Sequence, residues 1–232
     1  MNGPIGTDVR SDLAPRGILR AGINTGNPAL ARRDPATGEV RGIAVDLARE
    51  LGTQLGVDVE LVTYDAAGKL FDAVRADAWD VAFMAIDRER ATELIFTAPY
   101  LTIEATYLVR VDSPLRAVDD VDRPDVRIAI GAGGAYDLFL TRSLKHAALV
   151  RLPTAAAAFD AFLADRLEAA AGVRQALAEF AARHAGLRVM DGRFMAIEQA
   201  MATPKGRAAG AGYLAAFLHE FKSRGLVAEA LG

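Results

Sequence analysis

The chain alternates short apolar runs with stretches of helical periodicity, and turn residues separate the two kinds. Gly17 to Ile23 and Val81 to Ala85 are apolar runs of strand length, while Val57 to Tyr64 alternates apolar with polar positions. Between them Leu47, Leu51 and Leu55 recur at helical spacing in the segment 42–56, which ends on Gly56 as a C-terminal stop. Asp34-Pro-Ala-Thr-Gly-Glu39 is a hairpin signal, and Ala66 to Val74 begins a second helix. After the 81–85 run, Asp87 offers an N-cap to a short helix carrying Glu89, Arg90 and Glu93. Leu101 to Val111 is one long extended run interrupted by Glu104, followed by a polar, proline-punctuated stretch over 112–124.

A second set then begins. Strands are expected over 126–130, 149–152, 167–171 and 187–190, and helices over 135–146, 154–164 and 174–184, with Thr154 as an N-cap. Residues 191–201 return as an extended segment, 208–223 form an amphipathic helix, and a last short helix is expected over 226–231. Strands and helices in this order predict an α/β fold with largely parallel sheet and right-handed crossovers.

Composition narrows the function classes. At 232 residues, 52% apolar and 25% charged, the chain supports one large or two small domains with proper cores. A formal charge of -3 gives no footprint for nucleic acid or for an anionic membrane. Cysteine is absent, which excludes disulfides, thiolate metal sites and cysteine nucleophiles. His146, His184 and His219 lie far apart and read as surface residues, so no metal site is expected. Residues 1–16 contain neither a basic start nor a seven-residue apolar run and do not read as a secretory signal peptide, and no 18-residue apolar stretch occurs. Gly131-Ala-Gly-Gly134 matches neither the dinucleotide nor the P-loop glycine pattern, so no cofactor is expected.

The candidate chemistry begins at Arg90, which the pattern places just beyond a strand's carboxyl end. Open α/β sheets bind ligands at that edge, and a guanidinium there grips a carboxylate with two parallel bonds. The plain alternative is an exposed arginine paired with Glu89 or Glu93. Asn24-Thr-Gly-Asn-Pro28 is an amide-bearing loop of the kind that can line a ligand site, though most such loops only turn the chain. Lys69, in the first turn of its helix, opposes the dipole unless it meets an anion; solvation is the alternative. The Gly131 to Gly134 loop presents backbone N–H groups at a helix start, where an anion can be cradled.

Asp80-Val-Ala-Phe-Met-Ala-Ile-Asp-Arg-Glu-Arg-Ala91, followed by Ile95-Phe-Thr-Ala-Pro-Tyr100, resembles the signature of the family 3 extracellular solute-binding proteins, polar amino-acid receptors of ABC importers. The earlier order of strand, Asp-Pro-x-Thr-Gly hairpin and Gly-Ile-x-Val-Asp-Leu helix is similar to that family's opening, and the likeness runs over roughly 17–231. It implies a two-lobed, type II periplasmic-binding-protein fold, with one lobe over 1–103 and 195–232, the other over 104–194, and hinge crossings near 100–106 and 190–197. Arg90 would hold a ligand carboxylate. Asn24, Asn27, Lys69 and the loop of Gly133, Gly134, Ala135 and Tyr136 would supply further contacts, with Phe83 and Tyr136 covering apolar faces. The implied partners are a small carboxylate-bearing or amino-acid-like molecule and a membrane permease; the implied setting is a periplasmic monomer.

The chain also departs from that pattern. The acid that meets a ligand ammonium aligns to Val173, the expected hydroxyls to Ala85 and Gly134, and the covering aromatic residue to Asn27. A buried ammonium without a counter-charge costs several kcal/mol, so the ligand is expected to offer Arg90 an anionic or polar group and to lack an α-amino anchor. Glu104 on the crossing is a possible substitute for the missing acid. Arg174 either faces the cleft, favouring a second negative group, or is solvated. Two other readings stay open: a lyase similar to the periplasmic cyclohexadienyl dehydratases, with Lys69 and Glu104 as its acid–base candidates, and a ligand-sensing module outside transport.

Overall fold

The computed structural model describes residues 5–224, and the helix expected over 226–231 lies outside them. Helix α1 (Thr7–Leu13) precedes β1 (Ile18–Asn24), and the hairpin is formed by β2 (Arg32–Arg33) and β3 (Val40–Arg41). Then follow α2 (Ile43–Leu55), β4 (Asp58–Tyr64), α3 (Ala67–Asp72), β5 (Val81–Ala85), β6 (Leu94–Phe96) and the long β7 (Leu101–Arg110). The second set comprises β8 (Arg127–Gly131), α4 (Ala135–Ser143), β9 (Ala148–Leu152), α5 (Ala155–Ala164), β10 (Ala169–Val173), α6 (Arg174–Arg183) and β11 (Leu187–Val189). β12 (Met195–Pro204) and α7 (Ala208–Ser223) complete it. Helix α1 had no counterpart in the expected elements, and β10 runs two residues later than the 167–171 expected from its apolar pattern.

The main sheet has ten strands, with the path β4-β1-β5-β12-β7-β10-β8-β9; β6 pairs beside β12 and β11 beside β7. β1 pairs in parallel with β4 and β5, and β8 in parallel with β9 and β10, as helix-linked strands do. Every antiparallel pairing of this sheet involves β7 or β12. These two strands join the halves. Residues 101–105 of β7 pair with 195–199 of β12; beyond that segment β7 continues against β10 and β12 against β5.

Each half buries its own core on both faces of the sheet. In the first, Leu47 and Leu51 of α2 meet Phe217 and Leu218 of α7, while Leu70, Trp79 and Met84 pack on the opposite face. In the second, Tyr107, Ile128 and Leu140 form one cluster and Phe159, Phe162 and Leu177 another. A smaller cluster of Ala85, Ile103, Ala105, Ala135, Val173 and Ile197 sits where the halves meet. It forms the floor of the site.

Candidate functional site

Between β5 and β6 the chain makes a single 3₁₀ turn, Arg90–Thr92, where a short helix was expected. Asp87 shapes it: its carboxylate accepts from the Glu89 amide at 2.8 Å and its carbonyl from the Ala91 amide at 2.9 Å. This folds Arg90 inward, where it is 1% exposed. Its Nη1 donates to the Ala85 carbonyl at 3.2 Å and its Nη2 to the Gly133 carbonyl at 2.8 Å, and its guanidinium lies 5.9 Å from the Phe71 ring centre. Among the described residues it has no ion-pair partner. The two acids of the plain alternative are engaged elsewhere, Glu93 with Arg75 at 2.6 Å and Glu89 with Arg142 at 3.3 Å, and Arg142 also takes Asp87 at 3.1 Å. Burial drives the Arg90 pKa down to about 10, against the opposing pull of Asp87 and Glu89. It is therefore a buried, charged and uncompensated cation at neutral pH.

Arg90 forms one wall of a cavity of about 50 Å³ at the junction of the halves. Phe83, Ala85, Asn24 and Asn27 line it from the first half, and Gly134, Ala135, Tyr136 and Val173 from the second. The side-chain oxygens of Asn24 and Asn27 accept from the Gly26 and Ala29 amides at 3.0 and 3.2 Å, holding their loop in place. Their NH₂ groups make no bond within the described residues and are left as donors at the cavity wall. Tyr136 adds a phenol that burial, with Asp137 nearby, pushes up to about 12, so it too is a neutral donor. The starts of α4, α5 and α6 also border the cavity, at Ala135, Ala155 and Val173. Their aligned peptide dipoles put partial positive charge there.

The remaining expected site residues stand elsewhere. Gly133 does not line the cavity: its carbonyl takes Arg90 and its N–H donates to Asp137 at 2.8 Å, so that amide is not free for an anion. Lys69 is half-exposed and pairs with Asp65 at 2.8 Å. Glu104 and Arg174 pair with each other at 2.8 Å away from the cavity wall. Glu104 also takes Arg193 at 2.7 Å, and Arg174 donates to the Met190 and Gly192 carbonyls. Glu104 therefore does not stand in for the missing acid, nor does Arg174 offer a second anion site. Conversely, Gln199 and Thr154, the latter expected only as an N-cap, line the cavity without having been expected at the site. Gln199 was visible as the one amide beside the Ala-Met-Ala run of β12.

The Glu104 cluster makes a pH prediction. Hydrogen bonds from Arg193 and Arg174 hold the Glu104 carboxyl below its ordinary 4.5. A folded-state pKa below the unfolded value contributes stability above pH 4.5 that is lost as pH falls through the folded value. Thermal unfolding between pH 6 and 3 is expected to show a steeper acid limb for the wild type than for Glu104→Gln.

Several contacts cross between the halves. They are the Arg90 bond to Gly133, the Arg142 bridges to Asp87 and Glu89, and an Arg32–Glu179 pair on the opposite rim. Backbone meets backbone at Gly68 and Gly133: a Cβ on Gly133, whose φ is +72°, would lie 2.8 Å from the Gly68 Cα.

The family model for bacterial extracellular solute-binding proteins, family 3, matches residues 19–231. Among solved structures, a mutant of ArgBP from T. maritima superposes with a TM-score of 0.83 at 22% identity, covering 96% of this chain and 97% of that one. The ancestral amino-acid-binding protein AncCDT-1, a precursor of cyclohexadienyl dehydratase, gives 0.80 at 24% over 95% and 96%. A binding component of an ABC transporter from Wolinella succinogenes DSM 1740, complexed with lysine, gives 0.80 at 25% over 93% and 94%. No curated protein matches at the sequence level.

Proposed function

Since the chain belongs to the bacterial extracellular solute-binding proteins of family 3, we propose that it is the receptor of an ABC-type importer and captures a small carboxylate-bearing solute between its halves. The observation that carries this is Arg90: a guanidinium buried at a cavity wall with no acid to pair with. A desolvated cation of this kind gains most from an anion that arrives with the ligand. The donors of Asn24 and Asn27 and the helix starts around the cavity favour the same sign of charge. That proteins of similar fold have been solved with arginine or lysine bound supports an amino-acid-like ligand.

Capture works by hinge closure at the paired segments of β7 and β12, near 100–106 and 190–197. The residues before 104 and after 194 form one lobe and those between form the other. Closing assembles the cavity and excludes water, and a membrane permease reads the closed form, the protein acting as a periplasmic monomer. Lys69 and Glu104, the acid–base candidates of a lyase, both stand off the cavity in ion pairs, so the binding reading is preferred to catalysis. A thermal-shift screen of amino acids and small organic acids tests it. A ligand at 100 times its Kd adds roughly 2.7 kcal/mol of stability. Absence of any shift across both classes would contradict the receptor reading.

The rim bridges set how far the unliganded protein opens. Asp87 is nearly buried and Arg142 about one-third exposed, so this pair contributes about 1 kcal/mol to the closed form. Arg142→Ala is expected to raise the radius of gyration of the unliganded protein in small-angle scattering and to weaken ligand affinity by roughly fivefold. An unchanged radius and affinity would remove Arg142 from the closure equilibrium.

A further inference from the structure

We propose that the ligand is a small 2-hydroxy carboxylate, of the size of glycolate or lactate, and not an amino acid; this rests on the receptor reading and on Arg90 as the carboxylate anchor. Charge is the first argument. Among the described residues the only carboxylate on the cavity wall is Asp65, which Lys69 already holds at 2.8 Å. Arg90 and the starts of α4, α5 and α6 make the remainder of the field positive. An α-ammonium entering beside the carboxylate meets that field with no counter-charge and loses its hydration. An α-hydroxyl carries no charge and escapes the penalty.

Gln199 is the second argument. It is 3% exposed, lines the cavity, and its Oε1 is buried without a hydrogen-bond partner. In the ladder of β5 and β12 it lies directly opposite Ala85, whose carbonyl accepts from Arg90. Opposed antiparallel residues have Cα atoms about 4.5–5.5 Å apart, so the Gln199 amide and the Arg90 guanidinium serve neighbouring parts of the same small cavity. A hydroxyl both donates and accepts, and satisfies the amide in either orientation.

Size is the third. One water needs about 10–15 Å³ of such space, so the 50 Å³ cavity holds roughly three to five water-sized groups, and bonded atoms pack closer than separate waters. The close approach of Gly68 to Gly133 leaves no room for the halves to draw nearer there. Ala85, Val173 and Ile197 give the cavity an apolar side for a methyl group.

Lactate, alanine and propionate share nearly one shape and differ at the α-carbon, bearing hydroxyl, ammonium and hydrogen. Calorimetric titration of both lactate enantiomers, L-alanine, propionate and L-arginine into the wild type, Val173→Asp, Gln199→Leu and Arg90→Met tests the proposal. Lactate is expected to bind the wild type about tenfold or more tighter than alanine and roughly tenfold tighter than propionate. Gln199→Leu is expected to erase lactate's advantage over propionate, and Val173→Asp to turn the preference toward alanine. Alanine or arginine binding the wild type as tightly as lactate, with that binding lost in Arg90→Met, would overturn the hydroxy-acid assignment and leave the receptor reading standing. No Arg90-dependent binding of any of these compounds would overturn both. The wild-type comparison of lactate with alanine decides the assignment even if a variant fails to fold.

Discussion

Asp80→Ala is expected to cost roughly 3–5 kcal/mol of folding stability, lowering Tm by roughly 6–20 °C in a chain of this size. Asp80 is fully buried between β1 and β5. Its Oδ1 takes Arg20 Nη2 at 2.8 Å and Arg207 Nη1 at 2.9 Å, while its Oδ2 takes Arg20 Nε at 2.9 Å and the Arg20 amide at 3.1 Å. The hydrogen bond to Asp80 is the largest cause of the raised Arg20 pKa, so this guanidinium depends on its acid. Arg207 also reaches the Asp12 carbonyl, tying α1 and α7 to the same point. Removing the carboxylate leaves Arg20, which is 5% exposed, with Asp77 as its one remaining acid among the described residues. Asp77 is exposed and compensates only at the rim. Differential scanning calorimetry of the variant measures the loss; a drop below 1 kcal/mol would mean that Asp77 alone holds both arginines.

Arg90→Met is expected to do the reverse to the empty protein. The depression of the Arg90 pKa from 12.5 to about 10 corresponds to about 3 kcal/mol of unfavourable burial. Methionine fills similar space without charge, and the Ala85 and Gly133 carbonyls lose their donor. The net expectation is a gain of about 1–3 kcal/mol in unliganded stability. Binding of a carboxylate loses its ion pair and falls by more than about a hundredfold. Stability gained and function lost together mark a group retained for its ligand. The same depression sets the pH range. Free Arg90 gives up its proton near pH 10, earlier than carboxylate-bound Arg90 does, so affinity for an ionised carboxylate declines as pH rises through about 10.

Much of this arrangement was legible before the fold was known. Leu47, Leu51 and Leu55 announced α2, and Thr154 caps α5 by accepting from the Ala157 amide at 3.1 Å. Arg90 at the end of β5 and the Asn24–Asn27 loop were also visible, since both are set by local strand-and-turn order. What escaped depended on distance along the chain. Nothing local told that Glu93 would take Arg75 and Glu89 would take Arg142, leaving Arg90 alone. Glu104 meets Arg174 and Arg193 across 70 and 89 positions, which removes it from the ligand problem. Lys69 is different: Asp65 lies four positions before it, a spacing at which pairing can be foreseen. The β10 boundary slipped because Gly172 reads as a strand end, whereas antiparallel pairing with β7 carries the strand through Gly172 to Val173.

Arg90, proposed above as an unpaired cation kept for a ligand carboxylate, is open to a direct test. Unfolding of unliganded wild type and Arg90→Met, each followed by calorimetric titration with the small acids and amino acids, measures it directly. The expected result is a variant that is more stable and does not bind; a variant that is less stable, or that binds as tightly as the wild type, would show that Arg90 is not kept for a ligand.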